Sequence, residues 1–260
     1  MKTIDTIALA LSIAAAVPAH AAPAATVKPT VILVHGAFAD SASWNGVAAR
    51  LRADGFPVIG AANPLRSVKG DAEVVSNIVK GVQGPVVLVG HSYGGSVISA
   101  AANGNANVKS LVYVAAFAPE QGETALELSG RYPGSTLGPA LAAPVVLASG
   151  GKDFYIQQDK FHKQFAADLP KTQADLMAFG QRPIAEAALT EASGAPAWKA
   201  LPSYFIYGSA DKNIPAAALG FMAERAMSKK TVVIPGASHV VMTSHPAAVA
   251  RLIEEAAQAK

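Results

Sequence analysis

Short apolar runs recur along the chain, each bounded by glycine, proline or small polar residues. They are Val31–Val34, Pro57–Gly60, Pro85–Val89, Val108–Ala116, Tyr204–Tyr207 and Thr231–Ile234. Runs this short and this apolar fit strands buried on both faces, as in parallel sheets. Between them lie stretches of helical periodicity. In Ser43–Asp54, Trp44, Val47 and Leu51 share one face at i, i+3 and i+7, and Gly55 follows as a stop. Asp71–Lys80 carries Val74, Val75, Ile78 and Val79, and Pro215–Ala226 and Pro246–Ala257 each open on proline, which suits a first helical turn. Strands alternating with helices predict an α/β fold: a mostly parallel sheet of about six strands with right-handed crossovers, flanked by helices.

Between Pro119 and Pro202 this alternation breaks. A stretch of about eighty residues is too long for one crossover, and insertions of this kind are usually lids or binding segments. Residues 119–200 are therefore expected to form a cap continuous with the core. Phe161 and Phe165, and Leu176 and Phe179, stand at helical spacing, which predicts short helices. Most cap aromatics are expected to hold it down. Tyr155 and Phe161, with Phe38 of the core, are candidates to touch substrate, because pockets are lined by such side chains.

The chemistry begins where the third run ends. Val86-Val87-Leu88-Val89 leads into Gly90-His91-Ser92-Tyr93-Gly94 and then into the helix-like Gly95–Ala102. Strand, G-x-S-x-G and helix in that order place Ser92 on a sharp strand-to-helix turn, with glycines two residues either side to permit close approach. A serine at neutral pH needs a base, and the base an orienting carboxylate. Asp211 follows the strand Tyr204–Tyr207, and His239 follows Thr231–Ile234, giving the order Ser, Asp, His along the chain. All three are then expected at one edge of the sheet, where open α/β folds bind ligands. The oxyanion hole needs two backbone N–H groups. Tyr93, next after the nucleophile, supplies one, and the loop His35-Gly36-Ala37-Phe38 the other, with Ala37 preferred and Phe38 in reserve. Asp153 imitates the acid, since Val145-Val146-Leu147 also runs into a Gly-rich turn and an Asp. Asp211 is preferred because a helix and then the His-bearing strand follow it. His91 is expected to pack away from the nucleophile by strand alternation, and His35 to tie down the oxyanion loop.

With these parts in order, the chain resembles the α/β-hydrolase family from Val31 to its C-terminus. The loop His35-Gly36-Ala37-Phe38-Ala39-Asp40-Ser41-Ala42-Ser43-Trp44, the turn Gly208-Ser209-Ala210-Asp211-Lys212 and the pair Ser238-His239 are similar to the plant methyl-ester esterase and hydroxynitrile lyase branch and its small bacterial relatives. The resemblance implies a cofactor-free serine hydrolase acting on small to medium, uncharged carboxylic esters. It carries roles onto Ser92, Asp211, His239, Ala37 and Tyr93. The lyases resembled here have Thr where this chain has Gly36, and Lys where it has Val240, so both positions argue for hydrolysis. A lyase-like or perhydrolase activity, or a ligand binder that keeps the site, are the alternatives on the same scaffold.

Composition agrees. Hydrophobic residues make up 51% of 260, which excludes a disordered chain. A net charge of +3, with Lys229-Lys230 the one basic doublet, gives no nucleic-acid footprint. There is no Cys, so no thiolate nucleophile, and the six His are not spaced as metal ligands. Lys2, the apolar stretch Ile7–Val17 and Ala19-His20-Ala21 together read as a signal peptide over residues 1–21. Export to the periplasm or medium follows, with the enzyme domain at 22–260. Nothing after the leader is apolar over a length that would hold a membrane.

Overall fold

The computed structural model describes residues 28–148 and 150–258, so the leader expected at 1–21 lies outside the described residues. The chain runs β1 (Thr30–Val34), α1 (Asn45–Ala53), β2 (Val58–Ala61), α2 (Val68–Gly81), β3 (Val86–His91), α3 (Gly94–Ala101) and β4 (Val108–Val114). The cap follows as α4 (Ala125–Gly130), α5 (Leu137–Ala140), β5 (Val145–Val146), β6 (Lys152–Phe154), α6 (Gln158–Phe165), α7 (Lys171–Gly180), β7 (Ile184–Ala185) and α8 (Glu186–Thr190). The core resumes with β8 (Ser203–Gly208), α9 (Ala216–Arg225), β9 (Lys230–Ile234), α10 (Val241–Ser244) and α11 (Pro246–Ala257).

Six strands form one sheet in the order β2-β1-β3-β4-β8-β9, every neighbouring pair parallel. Its centre is fully buried: Val31–Val34 and Val86–Val89 have no accessible surface, because α2 and α3 pack over one face and α1 and α11 over the other. Side chains set the helix starts where sequence periodicity alone misses them. Ser67 Oγ accepts from Gly70 N at 3.0 Å, so α2 begins three residues before Asp71. Ser41–Trp44 forms a 3-10 turn, capped by Asp40, that leads into α1.

The cap is made of different material. Its three strands form a small antiparallel sheet, β5-β6-β7, only two or three residues deep. Polar ties fasten it to the core. Phe38 N donates to Arg182 O at 3.0 Å and Ala185 N to Leu65 O at 3.0 Å. Arg66 reaches Asp153 Oδ1 at 2.7 Å and Pro183 O at 3.0 Å. At the far hinge Arg225 grips Glu123 through both guanidinium nitrogens, at 2.8 and 2.7 Å, and Trp198 Nε1 donates to Pro119 O. No helix among the described residues is long and apolar enough to cross a membrane.

Candidate active site

Close backbone packing forces the turn at Ser92. A Cβ on Gly90 would fall 2.5 Å from Gly94 O, and one on Gly94 2.6 Å from Val34 O. Only glycine lets β1, β3 and the start of α3 come this close. Ser92 itself sits in the left-handed region, with φ +53°. Such a conformation is held against its own strain. Ser92 N donates to Val114 O at 3.3 Å, and Ser92 O accepts from Gly95 N at 3.0 Å and Phe117 N at 3.1 Å.

Asp211 and His239 meet below the same sheet edge. Asp211 Oδ1 accepts from Asn213 N at 2.8 Å and Ile214 N at 3.0 Å, which pins the carboxylate within its own loop. His239 Nδ1–H donates to the other oxygen, Oδ2, at 2.6 Å, with both side chains inaccessible to solvent. With Nδ1 carrying the proton, Nε2 is the nitrogen left free to accept one. His239 and Ser92 line one cavity, while among the described hydrogen bonds none joins Ser92 Oγ to the imidazole.

His91, expected only to pack, packs on the base. Its ring lies 4.7 Å from that of His239, and its Nε2–H donates to His239 O at 3.1 Å. Burial, and then the neighbouring His239, push its pKa well below the ordinary histidine value, so it stays neutral. Phe165 packs against both imidazoles, 5.1 Å from His239 and 6.2 Å from His91, and 6.2 Å from Phe38, by ring centroids.

The loop after β1 is tied as expected. His35 Nδ1–H donates to Gly36 O at 2.9 Å, Asn63 N donates to His35 Nε2 at 3.1 Å, and Asn63 Nδ2 donates to His35 O at 2.9 Å. Burial lowers the His35 pKa, which keeps the single tautomer that this pattern needs. A Cβ at Gly36 would fall 2.6 Å from Ser92 Cβ and 2.7 Å from His91 O. The threonine of the lyases resembled here has no room in this loop. Phe38 is corrected as the reserve oxyanion donor, because its N–H is already spent on Arg182 O. Ala37 N and Tyr93 N have no protein acceptor among the described residues.

The tyrosine beside the nucleophile is anchored through its side chain. Tyr93 OH donates to Asp71 Oδ2 at 2.9 Å, and Arg66 N donates to both Asp71 oxygens, at 3.1 and 3.2 Å. Burial raises the Asp71 carboxyl above its usual range and, with Asp71 itself, raises the Tyr93 phenol, which therefore remains a donor. Arg66 goes on to Asp153. Asp153 thus belongs to this strap on β6, and it is Asp211 that holds the imidazole.

The cavity over Ser92 has a volume of about 140 Å³. Ala37, Phe38 and Tyr93 form its floor with Ser92 and His239, and Phe117, Leu137, Leu141, Leu189 and Ile214 are among its apolar walls. Leu126, in the same wall yet 54% exposed, stands at its mouth. Two expected contacts are not there. Phe161 is fully buried against Phe165, 4.9 Å away, and Tyr155 contributes its carbonyl to Ala142 N rather than its ring to the cavity. Sequence reasoning named the larger cap aromatics and missed the leucines, which are scattered singly through the cap and follow no periodicity.

Comparison with known proteins agrees with this geometry. The profile of the alpha/beta hydrolase family matches residues 31–252. A carbendazim hydrolyzing esterase of Nocardioides sp. (strain SG-4G) is 34% identical over 113 residues, 37% of this chain and 46% of that protein, so the match spans about half the relative's length. The structure of polyneuridine aldehyde esterase superposes with a TM-score of 0.76 at 16% identity, covering 88% of this chain and 98% of the other. A pyrethroid hydrolase from Sphingobium faniae JZ-2 does so with a TM-score of 0.69 at 21% identity, covering 89% and 98%. The chain belongs to the alpha/beta hydrolase family.

Proposed function

We propose that the protein is a serine carboxylesterase, cleaving small to medium, uncharged esters through an acyl-enzyme. One observation carries this reading: a strained, buried serine shares an apolar cavity with a histidine whose other nitrogen is fixed by a buried aspartate. In the proposed cycle His239 Nε2 takes the Ser92 proton as Oγ attacks the ester carbonyl, a contact that tightens when substrate enters. The oxyanion is held by the N–H groups of Ala37 and Tyr93. As the tetrahedral intermediate collapses, the C–O bond to the alcohol breaks and His239 returns the proton to the leaving oxygen. Water then attacks the acyl-enzyme by the same route and restores Ser92. Asp211 keeps the imidazole in one tautomer and stabilises its protonated form. Every role falls to a group of this chain, so no cofactor enters the scheme.

The cavity supports the substrate class. Its walls are mostly aliphatic and aromatic, with Ser129, Ser135 and Asn213 as uncharged polar members, and no Lys or Arg lines it, so a charged acyl group would be desolvated without a counter-ion. The names of the relatives, a carbendazim hydrolyzing esterase, a pyrethroid hydrolase and polyneuridine aldehyde esterase, agree with small-molecule hydrolysis. Gly36, with no space for a side chain, and Val240, buried where the lyases resembled here carry lysine, weigh against cyanide release. The N-terminal pattern supports export with cleavage after Ala21, which mass spectrometry of the secreted protein tests as a start at Ala22. The enzymatic test is turnover of p-nitrophenyl esters from acetate to dodecanoate. The expected result is highest kcat/KM at short to medium chains and a fall at the long end. Wild-type turnover no faster than that of Ser92→Ala would overturn the proposal.

A further inference from the structure

Ser238 stands directly before His239 with 2% of its surface accessible, and a hydroxyl so buried has to find a protein partner. It turns to the cap for it. Ser238 Oγ–H donates to Asp168 Oδ1, and Phe165 O lies 3.3 Å from the same hydroxyl oxygen. The turn that carries Asp168 is itself fixed. Ala166 N donates to His162 O at 3.1 Å, Leu169 N to Ala166 O at 3.1 Å, and His162 Nε2–H to Leu169 O at 2.9 Å. The core holds the base-bearing loop one step earlier, through Gly236 N to Ser209 Oγ at 2.9 Å and Ala210 N to Ala237 O at 3.1 Å. One cap segment, residues 165–168, thus grips two consecutive residues of that loop. Phe165 sets its ring against the imidazole of His239, 5.1 Å away, and Asp168 takes the hydroxyl of the residue before it.

Asp168 is not an ordinary fastening of cap to core. In the hinge pair, both oxygens of Glu123 are taken up by Arg225. The second oxygen of Asp168, Oδ2, is buried and has no hydrogen-bond partner among the described residues, with His245 Nδ1 3.9 Å away. A carboxylate oxygen left unpaired in this way costs stability. A neutral acceptor would fasten the cap without that cost, whereas a carboxylate makes the stronger hydrogen bond to Ser238. We propose that Asp168 is a positioning residue for the reaction: through Ser238 it fixes the loop that carries His239, so that the imidazole is aligned on Ser92 while the cap is seated. This rests on the ester-hydrolase reading of the site and adds to it a link from the cap to the base.

Steady-state kinetics on p-nitrophenyl butyrate tests the link, with active sites counted by fluorophosphonate labelling to completion, so that loss of folded protein is not read as loss of rate. Ser238→Ala and Asp168→Leu should each lower kcat about 10- to 100-fold, the upper end being the cost of about 1 Å of misplacement, with KM within about threefold of wild type. Asp168→Asn, which keeps an oxygen for Ser238, should recover most of the rate. The double variant Ser238→Ala/Asp168→Leu should lose no more than the worse single variant, because both act through one bond. A kcat within about twofold of wild type in Ser238→Ala overturns the inference, even if Asp168→Leu fails to fold. Losses that multiply in the double variant overturn it as well, and so does a loss that Asp168→Asn does not relieve. A wild type that hydrolyses no ester overturns the ester-hydrolase reading and this role with it, whereas full turnover in the variants removes the role of Asp168 alone.

Discussion

The sheet edge and the cap enclose one cavity but hold their residues in place by different means. At the edge, Ser92 leaves the fully buried β3, Asp211 is pinned by the backbone N–H groups of Asn213 and Ile214, and His239 is held by Asp211 through its side chain and by His91 through its carbonyl. In the cap, strands of two or three residues and helices of four to ten are held by side-chain ties such as Arg66 to Asp153 and Arg225 to Glu123. Rigid elements position reacting atoms more accurately than short, tied ones. On the proposed reading the reacting groups stand on the edge, while cap and core share the cavity wall, and substitutions in the two regions should fail in different ways.

Asp211 and Asp153, two of the buried aspartates, give the widest contrast. Asp211→Asn leaves the geometry but lets His239 adopt the wrong tautomer, and kcat should fall about 10⁴-fold. Asp153→Asn loosens only the Arg66 strap, and kcat should fall less than about tenfold. Steady-state kinetics on one short ester checks both, and the reverse ranking would break the division. Next comes Gly36→Thr. Its Cβ would sit 2.6 Å from Ser92 Cβ, pushing the oxyanion loop off the nucleophile. A loss of about 10²- to 10³-fold in kcat is expected, the scale of one oxyanion donor. Activity near wild type would mean that the loop is softer than its hydrogen bonds imply.

The smallest effect lies where the regions join. Burial raises the Asp71 carboxyl in the folded protein above its unfolded value. The stability it contributes is then full below the unfolded value and is lost as pH rises through the folded one. Asp71→Asn does not titrate, so its stability relative to wild type should be greater at pH 7 than at pH 4 in urea denaturation. An equal difference at both pH values would remove the buried charge from the account.

The contrast also explains what could be read from sequence. The core elements came from apolar runs and helical spacing because β1, β3, β4 and β8 are almost wholly buried and the long helices bury one face, so burial writes itself directly into residue type. The edge strands β2 and β9 keep apolar runs though they are largely half-buried or exposed. Ser92, Asp211 and His239 followed because their positions are set by the ends of those strands. Boundaries moved where a single side chain decides them, as Ser67 does for α2. The rest of the cap resisted because of how it is built. Helical spacing does mark α6 and α7, but the other cap elements are too short to carry a period, and the cap's contacts join residues far apart in the chain, such as Phe38 with Arg182 and Ser238 with Phe165. Phe161 was expected in the pocket from its type, yet Phe165, one turn later on the same helix, lies in the cavity wall.

The central claim is that the edge of the sheet makes Ser92 a nucleophile, and covalent labelling tests it most directly. Folded protein is treated with a fluorophosphonate probe, digested and read by mass spectrometry. The adduct is expected on the peptide carrying Ser92, with ester hydrolysis lost in step with labelling, and Ser92→Ala is expected to fold, take no label and hydrolyse no ester. A label that persists in Ser92→Ala, or one that falls on another serine while wild-type hydrolysis disappears, would contradict the account.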